Sequence, residues 1–430
     1  MYKDIISKNN TALLTGNGFS INFDLDFANI YDRLYLGHKQ VLSKTNFKIK
    51  ANPLFRKRLL ENYNSIRQYS RTFENDTFEK IFNDAILFAK FIVEKDEIKQ
   101  AIVDHKECPE LTFGFSHISI AESIYSIGAK KGYKFVNIEN WTGLIWIYYA
   151  LEDSDVPIFE EFLKEENLFI KLIKLGQVNK TKIVDGNYVL DNFVFHGFVT
   201  YYKMLMATTI FNDGKVLKLE SLKNIDNIDK QNLKSFLDYY KVLITLNYDK
   251  ILDLVSARNV HHLHGEFSIN DSFYVFHQLY EIVHETNIIS FSNLKIGDYF
   301  FAKGRAPYIY NSSTINSRFN KTVVDPFKEL SNLIESHKLN HFMLFGMNVE
   351  NDYHILRGIM LGFIEKNVKN PIVTYCYYSL EERESFEETW NKVITFGDEY
   401  SEYARNIKIH FVDSKEIINT YFYYSEGVLQ

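Results

Sequence analysis

The sequence predicts an α/β fold: a mainly parallel sheet covered by helices, with a large, mostly helical insertion. Three observations carry this reading. Thr11 to Thr15 (TALLT) is a short apolar run ending in Gly16-Asn17-Gly18, a strand followed by a tight turn. Lys241 to Leu246 (KVLITL) is a second buried-strand run that ends in a polar loop. From Phe327 onward the pattern alternates: helix 327–336, strand 342–345, helix 353–364, strand 372–378, helix 381–393, strand 407–412. Such βα alternation argues for parallel strands with helical crossovers.

Composition narrows the function classes. A chain of 430 residues favours two or three structural units over one. With 36 Phe and 29 Tyr there are enough large apolar groups for a substantial core. Charged residues are only 24%, which excludes wholesale disorder, and six prolines suit long helices. The formal charge of −6 gives no sign of a broad nucleic-acid surface. The densest basic run, Lys48 to Arg58, reads as a solvated helix start or loop. Two cysteines, Cys108 and Cys376, cannot make a four-thiolate zinc site and do not suggest a disulfide scaffold. A cytoplasmic protein is expected. The first residues resemble no signal peptide, and no apolar stretch approaches the ~18 residues of a membrane span.

Taken in order, the turn at Gly16 to Gly18 leads into a helix opened by Phe19-Ser20-Ile21. Phe27, Ile30, Tyr31 and Leu34 then return at helical spacing. Residues 52–99 read as largely helical, with Asn75-Asp76-Thr77 starting a helix whose Phe78, Phe82, Phe88 and Phe91 face the core. Trp141 to Leu151 is densely apolar and aromatic and fits a buried helix, an oligomer contact or a strand. An amphipathic helix ends near Gly176. Gly186-Asn187 separates 182–185 from Tyr188-Val189-Leu190 as a hairpin would. His196-Gly197 sits in a helical setting and reads as structural. The domains expected are 1–35 with 235–430 as a nucleotide-binding unit, and 36–234 as a helical insertion for regulation or oligomerisation. Beyond the strand at 241–246, Ile251 opens a helix and Val260 to Leu263 forms a strand. Residues 273–276 read as a strand, Gln278 to Glu285 as helical, and Arg305 to Ser313 as a loop near the site.

Ligands in parallel sheets bind beyond the carboxyl ends of the strands. Four polar stations fall there: Gly16 to Ser20, Asn247 to Asp249, His264-Gly265, and Gly346 to Asn348. Glycines permit close backbone approach, and amides at a helix start can hold a phosphate, so the first station suggests a pyrophosphate site. There is no P-loop, no HExxH, no GxSxG elbow, and GxGxxG fails at Ile21. His261, His262 and His264 cluster on a short strand without a metal pattern, and no metal is expected. Asn247 and Asp249 fit both helix capping and catalysis. His264 suits proton transfer near neutrality. Asp24 and Asp352 also fit ordinary solvated or capping acids, and His354 has no assigned partner.

GNGFSINFD, LITLNYDKILD, VHHLHG and LFGMNVENDYH, in that order, resemble the SIR2-like, or sirtuin-like, NAD-binding superfamily, specifically its divergent branch in bacterial anti-phage proteins. The first segment also resembles abortive-infection proteins that begin with GNGF. The resemblance covers the first ~35 residues and about 241–410. It implies a Rossmann-like fold with NAD+ as substrate. Gly16, Gly18 and Ser20 would hold the dinucleotide, with Asn17, Phe19 and Asp24 in the same binding stretch. Asn247 and Asp249 would contact the nicotinamide ribose, and His264 would act as base. Gly346 and Asn348 would contact the adenosine-side ribose and phosphate. Asn17 stands where sirtuins carry alanine, Leu246-Asn247-Tyr248 stands for QNI, and the cysteine zinc module of deacylating sirtuins is missing. The activity implied is an NAD+ hydrolase of anti-phage defence, restrained until infection. A homo-oligomer and a phage-derived activator or defence-system partner would accompany it. A noncatalytic NAD or ADP-ribose sensor, a protein deacylase and an ADP-ribosyltransferase remain open.

Overall fold

The computed structural model describes residues 2–43, 47–51, 56–108, 116–177, 188–269, 278–290, 326–395 and 398–424. They divide into two compact units: Met1–Asn29, Ile210–Phe267 and Val323–Gln430 in the first, Ile30–Thr209 and Ser268–Thr322 in the second. Ten strands are described: β1 (Thr11–Thr15), β2 (Phe47–Ala51), β3 (Val242–Thr245), β4 (Val260–His262), β5 (Ser268–Ile269), β6 (Gln278–His284), β7 (Asn287–Ser290), β8 (His341–Phe345), β9 (Ile372–Tyr377) and β10 (Lys408–Asp413).

The first unit is a mixed α/β fold around a six-stranded sheet of order β10-β9-β8-β1-β3-β4, every neighbouring pair parallel. The order runs outward from β1 through β3 to β4, then returns to β1's other side and runs out through β8, β9 and β10. Strands β1, β3 and β8 are buried at every residue. That is why they read as unbroken apolar runs, the signature of a sheet covered on both faces. On one face Leu14, Ile244, Leu344 and Tyr375 share a core with Ile334, Ile355, Ile359, Phe363 and Trp390. These come from the helices Pro326–His337, Val349–Glu365 and Leu380–Thr395. On the other face Phe345 stacks on Phe422 at 5.7 Å, and Tyr240 meets the Met343 sulfur at 3.0 Å.

That second face also buries polar groups, each with a partner. The Nδ1 of His341 lies 2.9 Å from Thr11 Oγ1, and its Nε2 lies 2.8 Å from Thr374 Oγ1. One ring thus ties three adjacent strands, and burial drives its pKa down to about 3. Thr15 Oγ1 donates to Thr245 Oγ1 at 2.9 Å across β1 and β3.

The second unit is mainly helical, with an antiparallel sheet of order β2-β6-β7-β5. Its longest helix, Asn75–Glu94, starts at the predicted residues and carries a capping box in which Glu74 N–H donates to Thr77 Oγ1 at 3.0 Å. Phe78, Phe82 and Phe88 are buried, and Phe91 stacks on Phe162 at 4.3 Å. Trp141–Asp153 is a helix, which resolves the ambiguous apolar run. Tyr31 accepts the indole N–H of Trp141 at 2.8 Å and donates to the Val136 carbonyl at 2.9 Å. His196 Nδ1 accepts the amides of Phe198 and Val199 at the start of the helix Gly197–Phe211, a structural role as expected.

Three local expectations are corrected. Gln278–His284 is a strand, because β2 and β7 flank it and supply its ladder. Part of the basic run, Phe47–Ala51, is its partner strand, with Lys50 paired to Glu281 at 2.5 Å. Tyr188–Val194 is a helix, so it does not form the second arm of a hairpin, and 182–187 lie outside the described residues. The expected strand at 273–276 and loop at 305–313 also lie outside them. Both cysteines, Cys108 and Cys376, are buried. Among the described residues no helix is long and apolar enough to cross a membrane.

Candidate functional site

The strand order reverses between β1 and β8, and the loops leaving these strands meet there. After β1, Gly16 leads into one helical turn, Asn17–Ser20. After β8, Gly346 turns the chain in the left-handed region at φ +64°. The two loops touch backbone to backbone. Gly16 N–H donates to the Phe345 carbonyl at 3.0 Å, and Gly18 N–H to the Gly346 carbonyl at 2.9 Å. A Cβ on Gly16 would lie 2.5 Å from the Gly346 oxygen, and one on Gly18 would lie 2.6 Å from the Gly346 Cα. Glycine is therefore demanded at all three positions by the contact between the loops. The expected use of the Gly16 and Gly18 amides for a pyrophosphate is not what this conformation offers, because both already donate to protein carbonyls. Phe19 N–H likewise donates to the Gly16 carbonyl at 3.0 Å.

Beside the glycine turn lies a chain of polar side chains, with Ser20 and Asp249 buried and Asn247 half-buried. Asn247 Nδ2 donates to the Gly16 carbonyl at 3.1 Å and to Ser20 Oγ at 2.8 Å. Ser20 Oγ donates to Asp249 Oδ2 at 2.8 Å, and Asp249 Oδ1 accepts the Ile251 amide at 3.0 Å. Both amide hydrogens of Asn247 are thus committed, which orients Oδ1 as the remaining acceptor. Asp249 is buried and hydrogen-bonded through both oxygens. Burial raises its pKa, against the hydrogen bonds from Ser20 and Ile251. Its place is behind Asn247 and Ser20, as a positioning group that also starts the following helix. Of the two residues, Asp249 meets the capping reading, through the Ile251 amide at the start of the helix Ile251–Ser256, while Asn247 bonds back to the glycine turn.

His262 holds the same loop from the other side. Its Nδ1 lies 2.9 Å from the Asn247 carbonyl oxygen, and its Nε2 lies 2.9 Å from Asp253 Oδ2. Burial works to raise the Asp253 pKa, but His262 and Lys250 carry it below the usual range. Lys250 also pairs with Glu266. Sequence reasoning saw His262 only as part of a histidine cluster. The available signal was its position at the end of a strand directly beside the Asn247 strand.

His264, one turn past β4, is buried, and its Nε2 lies 3.3 Å from the Nε2 of His354. The rings are nearly parallel, with centroids 5.5 Å apart. His354 comes from the helix after β8, which lies on the far side of β1 and β3 from β4. The two histidines meet over strand ends that separate their own strands. Asp352 joins them: one ligand atom from each of His264, Asp352 and His354 lies within 4.8 Å of the others. His354 therefore has a neighbour, His264, that the sequence reading did not assign to it. No local pattern reveals it, since residues two apart do not share a face of a regular helix.

The remaining predicted residues are spread between packing and support. Phe19 is core, its ring against Phe23, Phe345 and Phe422. Asn17 is exposed, and its Nδ2 donates to the Phe27 carbonyl at 2.7 Å. Asp24 is buried and accepts from the Asp26 amide, the Lys223 amide and the Lys215 ammonium, the last at 3.0 Å. Hydrogen bonds from Lys215 and Lys223 hold the neighbouring Asp26 at a pKa of about 2. Asn348 caps the helix Val349–Glu365 through the amides of Glu350 and Asn351. No protein-family model, curated protein or solved structure matches this chain.

Proposed function

We propose that this chain hydrolyses the nicotinamide–ribose bond of NAD+, as a SIR2-like enzyme of bacterial anti-phage defence. Support comes first from the sheet. Numbered along the chain, its order reads 3-2-1-4-5-6, the order of doubly wound, Rossmann-like nucleotide-binding sheets, whose ligands sit where the order reverses. The single observation that carries the reading is Asn247. It is fixed at that place by Gly16, Ser20 and His262, with one amide oxygen left to hold a ribose hydroxyl or the attacking water.

In the proposed reaction a water oxygen bonds to the anomeric carbon as the carbon–nitrogen bond breaks. Nicotinamide leaves neutral, taking the bonding pair, and the water loses a proton that His264 accepts before release to solvent. The products are ADP-ribose, nicotinamide and a proton. Positive charge develops on the ribose, so precise placement of the reactants supplies much of the rate. Asp249 and Ser20 serve by holding Asn247.

Product-resolved NAD+ turnover by wild type and Asn247→Ala tests this. The variant is expected to lose on the order of 10²-fold in kcat while keeping its circular dichroism spectrum. Equal turnover removes Asn247 from the mechanism. No nicotinamide from the wild type in any assembly state, with or without phage lysate, rejects hydrolysis. NAD+ binding without turnover would assign the sensor role, and labelled acceptor protein would assign transfer.

A further inference from the structure

We propose that His264, Asp352 and His354 form a binding site for a divalent transition-metal ion, zinc by its ligand chemistry. This goes beyond the hydrolase reading and does not depend on it. Two imidazoles and one carboxylate are the donor types of three-ligand zinc sites that leave a fourth position open. The spacing fits. Metal–nitrogen bonds of about 2.0–2.1 Å at a tetrahedral angle place two nitrogens roughly 3.3–3.4 Å apart. The two Nε2 atoms lie 3.3 Å apart. A carboxylate oxygen of Asp352 lies within 4.8 Å of a ring nitrogen of each histidine, and the residue is half-buried with a short side chain.

The backbone is built for this convergence. In a regular helix, residues two apart point about 200° away from each other. Asp352 instead has φ −113° and ψ 24°, a break inside the helix Val349–Glu365. The break brings Asp352 and His354 to one side, against a histidine from a different loop. The second group of possible ligands, Asp253, His262 and Glu266, lacks this character. The Lys250 ammonium sits on both of its carboxylates and offsets part of their charge. An ion at His264 would occupy the Nε2 lone pair that the hydrolase reading uses for proton transfer, so zinc-loaded protein would turn over NAD+ more slowly.

The test is direct binding. Full-length protein stripped with a chelator is titrated with zinc chloride by calorimetry, and separately with cobalt(II) while the visible absorption of a tetrahedral site is followed. The wild type is expected to take up one ion per chain. His354→Ala, His354→Gln and Asp352→Asn should each weaken binding at least tenfold, and His337→Gln, at an exposed helix end, should leave it unchanged. Circular dichroism identifies any variant that fails to fold, and the conservative His354→Gln and Asp352→Asn keep the comparison available. Absence of stoichiometric binding in the wild type, or equal binding by folded His354→Gln and Asp352→Asn, would overturn the assignment. Turnover of NAD+ plays no part in this readout, so failure here and failure of the hydrolase reading are distinguishable.

Discussion

Replacing Gly346 with alanine tests whether the two glycine loops are held by backbone contact. The added Cβ would lie 2.7 Å from the Gly18 Cα and carbonyl carbon and 2.8 Å from the Phe19 nitrogen. These are backbone atoms, so no flexible side chain can yield. Residue 346 must also keep φ at +64°, which costs a non-glycine residue about 1–2 kcal/mol. Forcing extra volume into a packed contact costs about 1–3 kcal/mol more. The sum is roughly 2–5 kcal/mol. Gly18→Ala separates the two contributions. Gly18 lies outside the left-handed region, so its variant should lose only the steric share, about 1–3 kcal/mol. The double variant should cost less than the two singles together, because the loops need part only once. Native-state hydrogen exchange of peptides covering β1 and β8 reads the opening free energy of these strands. Protection unchanged to within about 0.5 kcal/mol in Gly346→Ala would refute the reasoning, as would strict additivity.

Two further outcomes follow from groups in the second unit. Tyr31→Phe strips the partner from the Trp141 indole N–H and the Val136 carbonyl, and should cost about 1–3 kcal/mol in urea denaturation. A loss below about 0.5 kcal/mol would mean that those groups find other partners. His196 and His38 are buried, and burial holds each pKa down to about 4. Unfolding lets each bind a proton near its ordinary value of about 6.5. Their contribution is therefore complete above pH 6.5 and is lost as pH falls toward 4, at about 1.4 kcal/mol per pH unit for each ring. The urea midpoint should drop between pH 7 and pH 5, and a flat profile would contradict the burial of both rings as neutral imidazoles.

The amino-acid sequence alone determined what depends on short-range pattern. Unbroken apolar runs marked β1, β3 and β8, because strands buried on both faces leave no polar alternation. Helix and strand periods in the last third marked the parallel half-sheet. Polar loops at strand ends marked Asn247, Asp249, His264 and Gly346. What a local pattern cannot carry is who meets whom. Residues 278–284 took strand form because β2, far away in sequence, offered them a ladder. Gly16 and Gly18 suggested a phosphate cradle, yet their neighbour is the backbone of Gly346, and only the fold brings β8 beside β1. His354 joined His264 for the same reason: a break at Asp352 and the reversal of strand order placed a helix residue and a loop residue, 90 apart in the chain, within a hydrogen bond's reach. Such contacts are properties of packing, and packing is decided by the whole chain at once.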